Sequence, residues 1–146
     1  MKFYDRVNEM QILQENEVQA ERSAVFTVLM GRRRVGKTSL ITHAMEGREY
    51  AYLFISRDNE TVLCRKLQRS LEEQLGIHVY GNLTHFRDLF EVIMRESVNR
   101  HFTVVFDEFQ TLYNINPAIF SVIHDILDRY HTESKLNLIA SGSIQS

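Results

Sequence analysis

The chain has 146 residues, 44% hydrophobic and 25% charged, a composition suited to one soluble domain with a single sizeable core. A formal net charge of −2 and a pI of about 6.3 argue against a global basic footprint for nucleic acid or anionic lipid. The single cysteine, Cys64, excludes an internal disulfide, and neither a signal-peptide core nor a membrane-length apolar run is present, so a cytoplasmic location is expected.

In chain order, residues 5–21 read as a helix with a narrow apolar stripe of Val7, Met10, Ile12 and Leu13 that fades near Ala20. Residues 25–30 are β-branched and apolar, a buried strand, followed by a glycine-bounded loop and a helix over 39–45 with Gly47 as its C-cap. Residues 50–55 form a second strand. Asp58 or Asn59 then caps a helix with Leu63, Leu67, Leu71 and Leu75 on one face, stopped at Gly76. After a turn at Gly81-Asn82, Thr84 is the expected cap of a helix whose inner face carries Phe86, Leu89, Phe90, Ile93, Met94 and Val98. Residues 102–106 make a third strand. Asn116-Pro117 starts a further helix, with Ile119, Val122, Ile123, Ile126, Leu127 and Tyr130 facing inward, and residues 136–140 make a fourth strand.

Strands alternating with helices imply an α/β fold, a three-layer parallel sheet with right-handed crossovers and helices on both faces. In such sheets ligands sit beyond the carboxyl ends of the strands, where Gly31, Ser56, Asp107 and Ser141 all fall. Cys64 lies in an amphipathic pattern and is expected to be a buried thiol, not a nucleophile. The six histidines show no metal-ligand spacing and are expected on the surface or on helix faces.

The chemistry concentrates in Gly31-Arg32-Arg33-Arg34-Val35-Gly36-Lys37-Thr38, a full match to the phosphate-binding pattern G-x-x-x-x-G-K-[ST]. Gly31 and Gly36 permit a backbone wrap that a Cβ would forbid. Successive amides, through Ser39, then form an anion-binding concavity backed by a helix N-terminus. Lys37 supplies a point charge for the β- and γ-phosphates, and the Thr38 hydroxyl offers one ligand to Mg²⁺. The side chains of Arg32, Arg33 and Arg34 are a solvated loop tip or a contact to a partner or to the nucleotide phosphates. An arginine finger is not assigned here, since residues within the loop aim main chain at the ligand.

The third strand ends in Asp107-Glu108-Phe109-Gln110. A carboxylate after four apolar residues is the expected second holder of Mg²⁺, through water, and Glu108 is placed to orient and deprotonate the attacking water. Neighbouring residues of a strand point to opposite sides, so both serve one site only if the chain bends there. Taken alone, Asp-Glu would be a pair of solvated loop carboxylates; the upstream loop favours the metal and base. At the end of the fourth strand, Ser141 or Ser143 either meets the γ-phosphate or belongs to an ordinary polar turn.

The chain resembles the archaeal-type ATPases of the STAND class, P-loop NTPases related to AAA proteins. The resemblance rests on Phe3-Tyr4-Asp5-Arg6 with Glu9, the loop from Gly31 to Leu40, Val105-Phe106-Asp107-Glu108-Phe109-Gln110, and Leu138-Ile139-Ala140-Ser141-Gly142-Ser143. It implies strand order 5-1-4-3-2, ATP and Mg²⁺ as ligands, and hydrolysis that switches attached domains. It also implies that residues 3–9 pack near the adenine, with Arg6 the candidate contact. The family commonly carries a fifth strand and a helical lid after this point. The chain stops at Ser146, so an N-terminal fragment of a longer protein is expected, with an unpaired edge on the first strand and possible self-association.

The expected activity is therefore Mg²⁺-dependent ATP binding and hydrolysis by a regulatory ATPase core. Turnover should be slow, since a missing arginine finger is worth a factor of roughly 10³ to 10⁵. Expected partners are C-terminal domains, other proteins or a second copy, without nucleic acid or membrane. Two alternatives are a helicase half, given D-E-x-Q, which lacks a second motor domain and a basic channel, and a nucleotide-dependent interaction module without turnover. A GTPase is disfavoured because D-x-x-G and N-K-x-D are missing.

Overall fold

Four short apolar runs pair in parallel, and helices cover both faces of the sheet they make. In the computed structural model residues 3–32 and 36–144 are described. The strands β1 (Val25–Arg32), β2 (Tyr50–Phe54), β3 (Phe102–Asp107) and β4 (Leu136–Ile144) stand in the order β1-β4-β3-β2, all parallel. This is the 1-4-3-2 part of the order that the resemblance implies. Both neighbours of β3 are strands, and its residues Phe102 to Phe106 are all buried, which is why it reads as an apolar run interrupted only by Thr103.

The helices are α1 (Phe3–Gln19), α2 (Lys37–Ala44), α3 (Glu60–Leu75), α4 (Phe86–Val98), α5 (Thr111–Ile115) and α6 (Ile119–Tyr130). Leu13 of α1 and Leu40, Ile41 and Ala44 of α2 pack over Val105 and Ile139 on one face. On the other, α3, α4 and α6 bury Leu67, Phe90 and Ile123 against Val104, Phe106 and Leu138. Phe106 lies 5.4 Å from Phe86 and 6.3 Å from Phe109, ring centre to ring centre. This aromatic row anchors the chain just past Asp107, where the site begins.

The expected caps of α3 are present: Asn59 accepts from Val62 N–H at 2.9 Å, and Gly76 closes the helix at φ +66°. Others differ. α2 ends at Ala44 with Met45 as its C-cap, and Gly47 turns the chain two residues later at φ +80°. Thr84 does not cap α4; the Glu60 carboxylate, from the start of α3, accepts from Phe86 N–H at 2.8 Å instead. Asn116 accepts from Ala118 N–H at 3.1 Å, which makes a turn around Pro117 before α6 begins at Ile119. β4 runs through Ser141-Gly142-Ser143 to Ile144, because β1 offers it a partner as far as Arg32.

Cys64 is buried, and that burial, with Glu60 and Asp88 nearby, pushes its thiol up to about 12, which fits a packing role. His101 departs from the expected surface position. Its Nδ1 lies 2.8 Å from the Lys135 carbonyl and its Nε2 meets the buried Glu17 carboxylate, tying α1 to the foot of the sheet. Glu17 Oε2 also faces Arg48 Nη1 at 3.1 Å, an ion pair without hydrogen-bond alignment.

The two edges of the sheet are treated differently. The Gln74 side chain occupies the β2 edge, accepting from Tyr52 N–H at 2.6 Å and donating to Tyr52 O at 3.0 Å, as a neighbouring strand would. Along β1, Phe26, Val28 and Met30 are 43%, 55% and 43% exposed. No helix among the described residues is long and apolar enough to cross a membrane.

Candidate functional site

The carboxyl ends of β1, β3 and β4 and the start of α2 converge at one end of the sheet. Gly31 lies near the end of β1, paired in register with Ser143 of β4, while Asp107 ends β3 opposite Ser141. Arg32 is the last residue of β1; Arg33, Arg34 and Val35 lie outside the described residues, as do the side chains of Arg32 and Arg6. Arg6 itself falls in the first turns of α1. Gly36 is the N-cap of α2 at φ +77°, ψ +32°, a conformation that costs a side-chain-bearing residue about 1–2 kcal/mol.

The N-cap is a glycine, which brings no capping side chain of its own, and the first turn carries no acidic residue, so the positive end of the α2 dipole is not masked by a carboxylate of its own first turn. Lys37, Thr38 and Ser39 form the opening turn. Lys37 Nζ reaches back to Gly31 O at 3.4 Å, across the mouth of the loop. Thr38 Oγ1 lies 3.0 Å from the Tyr52 hydroxyl, and the charges of Asp107 and Glu108 bear on the same phenol. Burial, opposed by the Thr38 hydrogen bond and reinforced by Asp107 and Glu108, pushes Tyr52 up to about 12, so the phenol keeps its proton at neutral pH.

The bend required to serve one site with both acidic neighbours is present. Glu108 is the one residue other than glycine with positive φ among those described, at +56°. Its N–H turns back onto Asp107 Oδ1 at 2.9 Å, and Phe109 N–H rejoins β4 at Ser141 O, also 2.9 Å. A left-handed conformation for a residue with a Cβ costs on the order of 1–3 kcal/mol and persists where the surroundings enforce it. Here the enforcement continues into the side chain: Ser143 Oγ donates to Glu108 Oε1 at 3.1 Å, and Gln110 Nε2 donates to Glu108 Oε2.

Three residues of this arrangement were not singled out by sequence reasoning. Gln110 lies inside the D-E-x-Q string, but its role depends on a bend that no pattern reveals. Gly142 leaves room for it, since a Cβ there would lie 2.5 Å from Gln110 Oε1 and 2.7 Å from Met30 Sδ. Tyr52 reads in sequence only as one more aromatic of a strand. Ser141, an alternative phosphate contact, is buried inside the strand, while the Ser143 hydroxyl is engaged by Glu108.

The oxygen donors fit a small hard cation. The Thr38 hydroxyl, in the first turn of α2, and the Asp107 carboxylate, at the end of β3, are hard oxygen donors of the kind such a cation takes.

Comparison with known proteins bears on the fold and the family. Over 141 residues the chain is 28% identical to an uncharacterized protein of Methanocaldococcus jannaschii, covering 97% of this chain and 29% of that one. Similar solved structures include a Walker-type ATPase of Pyrococcus abyssi, at TM-score 0.63 and 20% identity, over 92% of this chain and 44% of that one. Cdc6p from Pyrobaculum aerophilum matches at TM-score 0.63 and 18% identity, over 99% and 40%. Drosophila ORC bound to DNA matches at 0.65 and 15%, over 98% and 38%. At these identities the structural likeness is one of fold, and it is the parallel α/β fold of P-loop ATPases. The AAA domain family matches residues 23–146, a span that takes in the loop, both strand-end carboxylates and β4; the chain belongs to that family.

Proposed function

We propose that this chain is the Mg²⁺-dependent ATP-binding and ATP-hydrolysing core of a regulatory ATPase of the archaeal STAND type, and the nucleotide-binding part of a longer polypeptide. The observation that carries the reading is Glu108, turned out of the strand at φ +56° and held by donors on both carboxylate oxygens. Solvated loop carboxylates have no need of such a posture.

In this reading the amides from Gly31 to Ser39 surround the β- and γ-phosphates, and Lys37 sets its ammonium against their charge. Thr38 and Asp107 would hold Mg²⁺, which when bound neutralises charge developing on the phosphate oxygens. Glu108 accepts the proton of the attacking water. Ser143 and Gln110 keep its carboxylate from rotating away, so Ser143 serves the base more directly than the nucleotide. Arg6, on α1, is the proposed adenine-side contact.

The experiment is phosphate release from ATP with and without Mg²⁺, on wild type and Gly142→Ala. The added methyl displaces Gln110, whose flexible tip yields before the backbone does. Hydrolysis should fall by roughly tenfold or more through misplacement of Glu108, with ATP affinity unchanged. Unaltered hydrolysis in this variant would remove Gln110 from the positioning of the base, and Mg²⁺-independent or absent hydrolysis in wild type would refute the reading as a whole.

A further inference from the structure

At the amino ends of the strands, the opposite end of the sheet from the phosphate loop, three side chains with metal-binding atoms meet. Glu17 lies in the last turn of α1, Glu21 follows that helix by two residues, and His101 immediately precedes β3. Their ligand atoms, one from each residue, all lie within 4.8 Å of one another. Glu17 is 2% exposed, His101 is half-buried and Glu21 is exposed, so the group is anchored in the core and open to solvent on one side.

The His101 ring is oriented from behind. Its Nδ1 lies 2.8 Å from the Lys135 carbonyl, and a carbonyl oxygen only accepts, so Nδ1 carries the hydrogen. In the neutral imidazole Nε2 then offers a lone pair, and what it meets is the lone pair of Glu17 Oε1. Two such atoms stay together only around a cation, either a proton or a metal ion. Arg48 pairs with the other carboxylate oxygen, Oε2, at 3.1 Å and leaves Oε1 facing the histidine. A shared proton accounts for two of the three groups and gives no part to Glu21. A metal ion uses all three, and a histidine steered by a hydrogen bond from its far nitrogen to a main-chain carbonyl is the usual posture of a metal ligand.

We propose that Glu17, Glu21 and His101 bind a divalent transition ion of the zinc class, with water completing its coordination. The imidazole nitrogen turns the site away from Mg²⁺ and Ca²⁺, which take oxygen ligands, and toward zinc, which takes imidazole and carboxylate together. Zinc holds such atoms at about 2.0–2.2 Å, so the touching pair opens to admit the ion and the exposed Glu21 swings in by a side-chain rotation. The bound ion clips the end of α1 to the start of β3. The spacing hides this site in the sequence, since His101 stands 84 residues from Glu17. The inference is independent of the Mg²⁺-ATP reading, because neither the loop nor Asp107 and Glu108 take part in it.

The test uses the nucleotide-free protein, stripped of metal by chelator and dialysis, and titrates zinc chloride into wild type and Glu21→Gln. Glu21 is exposed and lies outside the contacts among His101, Glu17 and Arg48, so the variant keeps the fold, those contacts and every histidine. Wild type should take up one zinc per chain and melt roughly 5 °C higher at a hundredfold excess of zinc over its Kd. Glu21→Gln should melt like wild type without zinc and bind the ion roughly tenfold or more weakly. No uptake by wild type overturns the inference and assigns a shared proton to His101 and Glu17. Uptake that Glu21→Gln does not weaken places the ion on other histidines and overturns it as well.

Discussion

Replacing Glu108 by Gln should lower ATP hydrolysis by about 10²- to 10⁴-fold, the usual worth of a positioned general base, while ATP affinity stays within about threefold of wild type. The substitution is close to isosteric, and the local network can absorb it. Ser143 can donate to the new amide oxygen as it does to Glu108 Oε1 at 3.1 Å. Gln110 can rotate its own amide, turning its buried and otherwise unpartnered Oε1 toward the new NH₂. The fold and the nucleotide pocket are therefore preserved, and only the proton acceptor is lost. Single-turnover hydrolysis with a parallel binding titration separates the two quantities. Equal loss of binding and turnover would take Glu108 out of the role of base.

Lys37→Ala should act on the other axis, weakening ATP binding on the order of 100-fold through loss of charge-assisted contacts to the phosphates. Lys37 opens α2 and reaches Gly31 O at 3.4 Å, so the variant also removes a contact across the loop. A thermal unfolding curve distinguishes the effects: the nucleotide-free protein should melt close to wild type, since Leu40 and Ile41 hold α2 in the core. Wild-type affinity in this variant would mean that the loop does not bind phosphate through its ammonium.

Much of the architecture is legible in the sequence because burial writes itself as pattern. The run Phe102-Thr103-Val104-Val105-Phe106 is apolar on both phases except for Thr103, and it is the strand buried on both sides. The leucines of α3 at spacings of four, closed by Gly76, give that helix with its stop. What escaped was decided by contacts between distant segments. Thr84 had the right chemistry for a cap, but Glu60, 26 residues before Phe86, reached the Phe86 amide. The five-residue α5 carries no period long enough to register, and it forms because Leu112 enters the core behind Phe109. His101 became a half-buried tie because its partner, the buried Glu17, lies 84 residues away on α1.

The site divides in the same manner. Gly31, Gly36, Lys37, Thr38, Asp107 and Glu108 follow from motifs whose residue types are dictated by phosphate and proton chemistry. Tyr52, Gln110 and Gly142 do not, since their importance lies in where the sheet places them: a phenol beside the opening turn of α2, an amide beside a bent carboxylate, and a missing methyl that admits it.

The central claim is that the loop, Lys37 and the paired oxygens of Thr38 and Asp107 grip the triphosphate of ATP with Mg²⁺. Isothermal titration of ATP into the protein with Mg²⁺ in excess tests it most directly. A saturable heat that disappears in Lys37→Ala is the expected result; a flat trace with folded wild-type protein would contradict it.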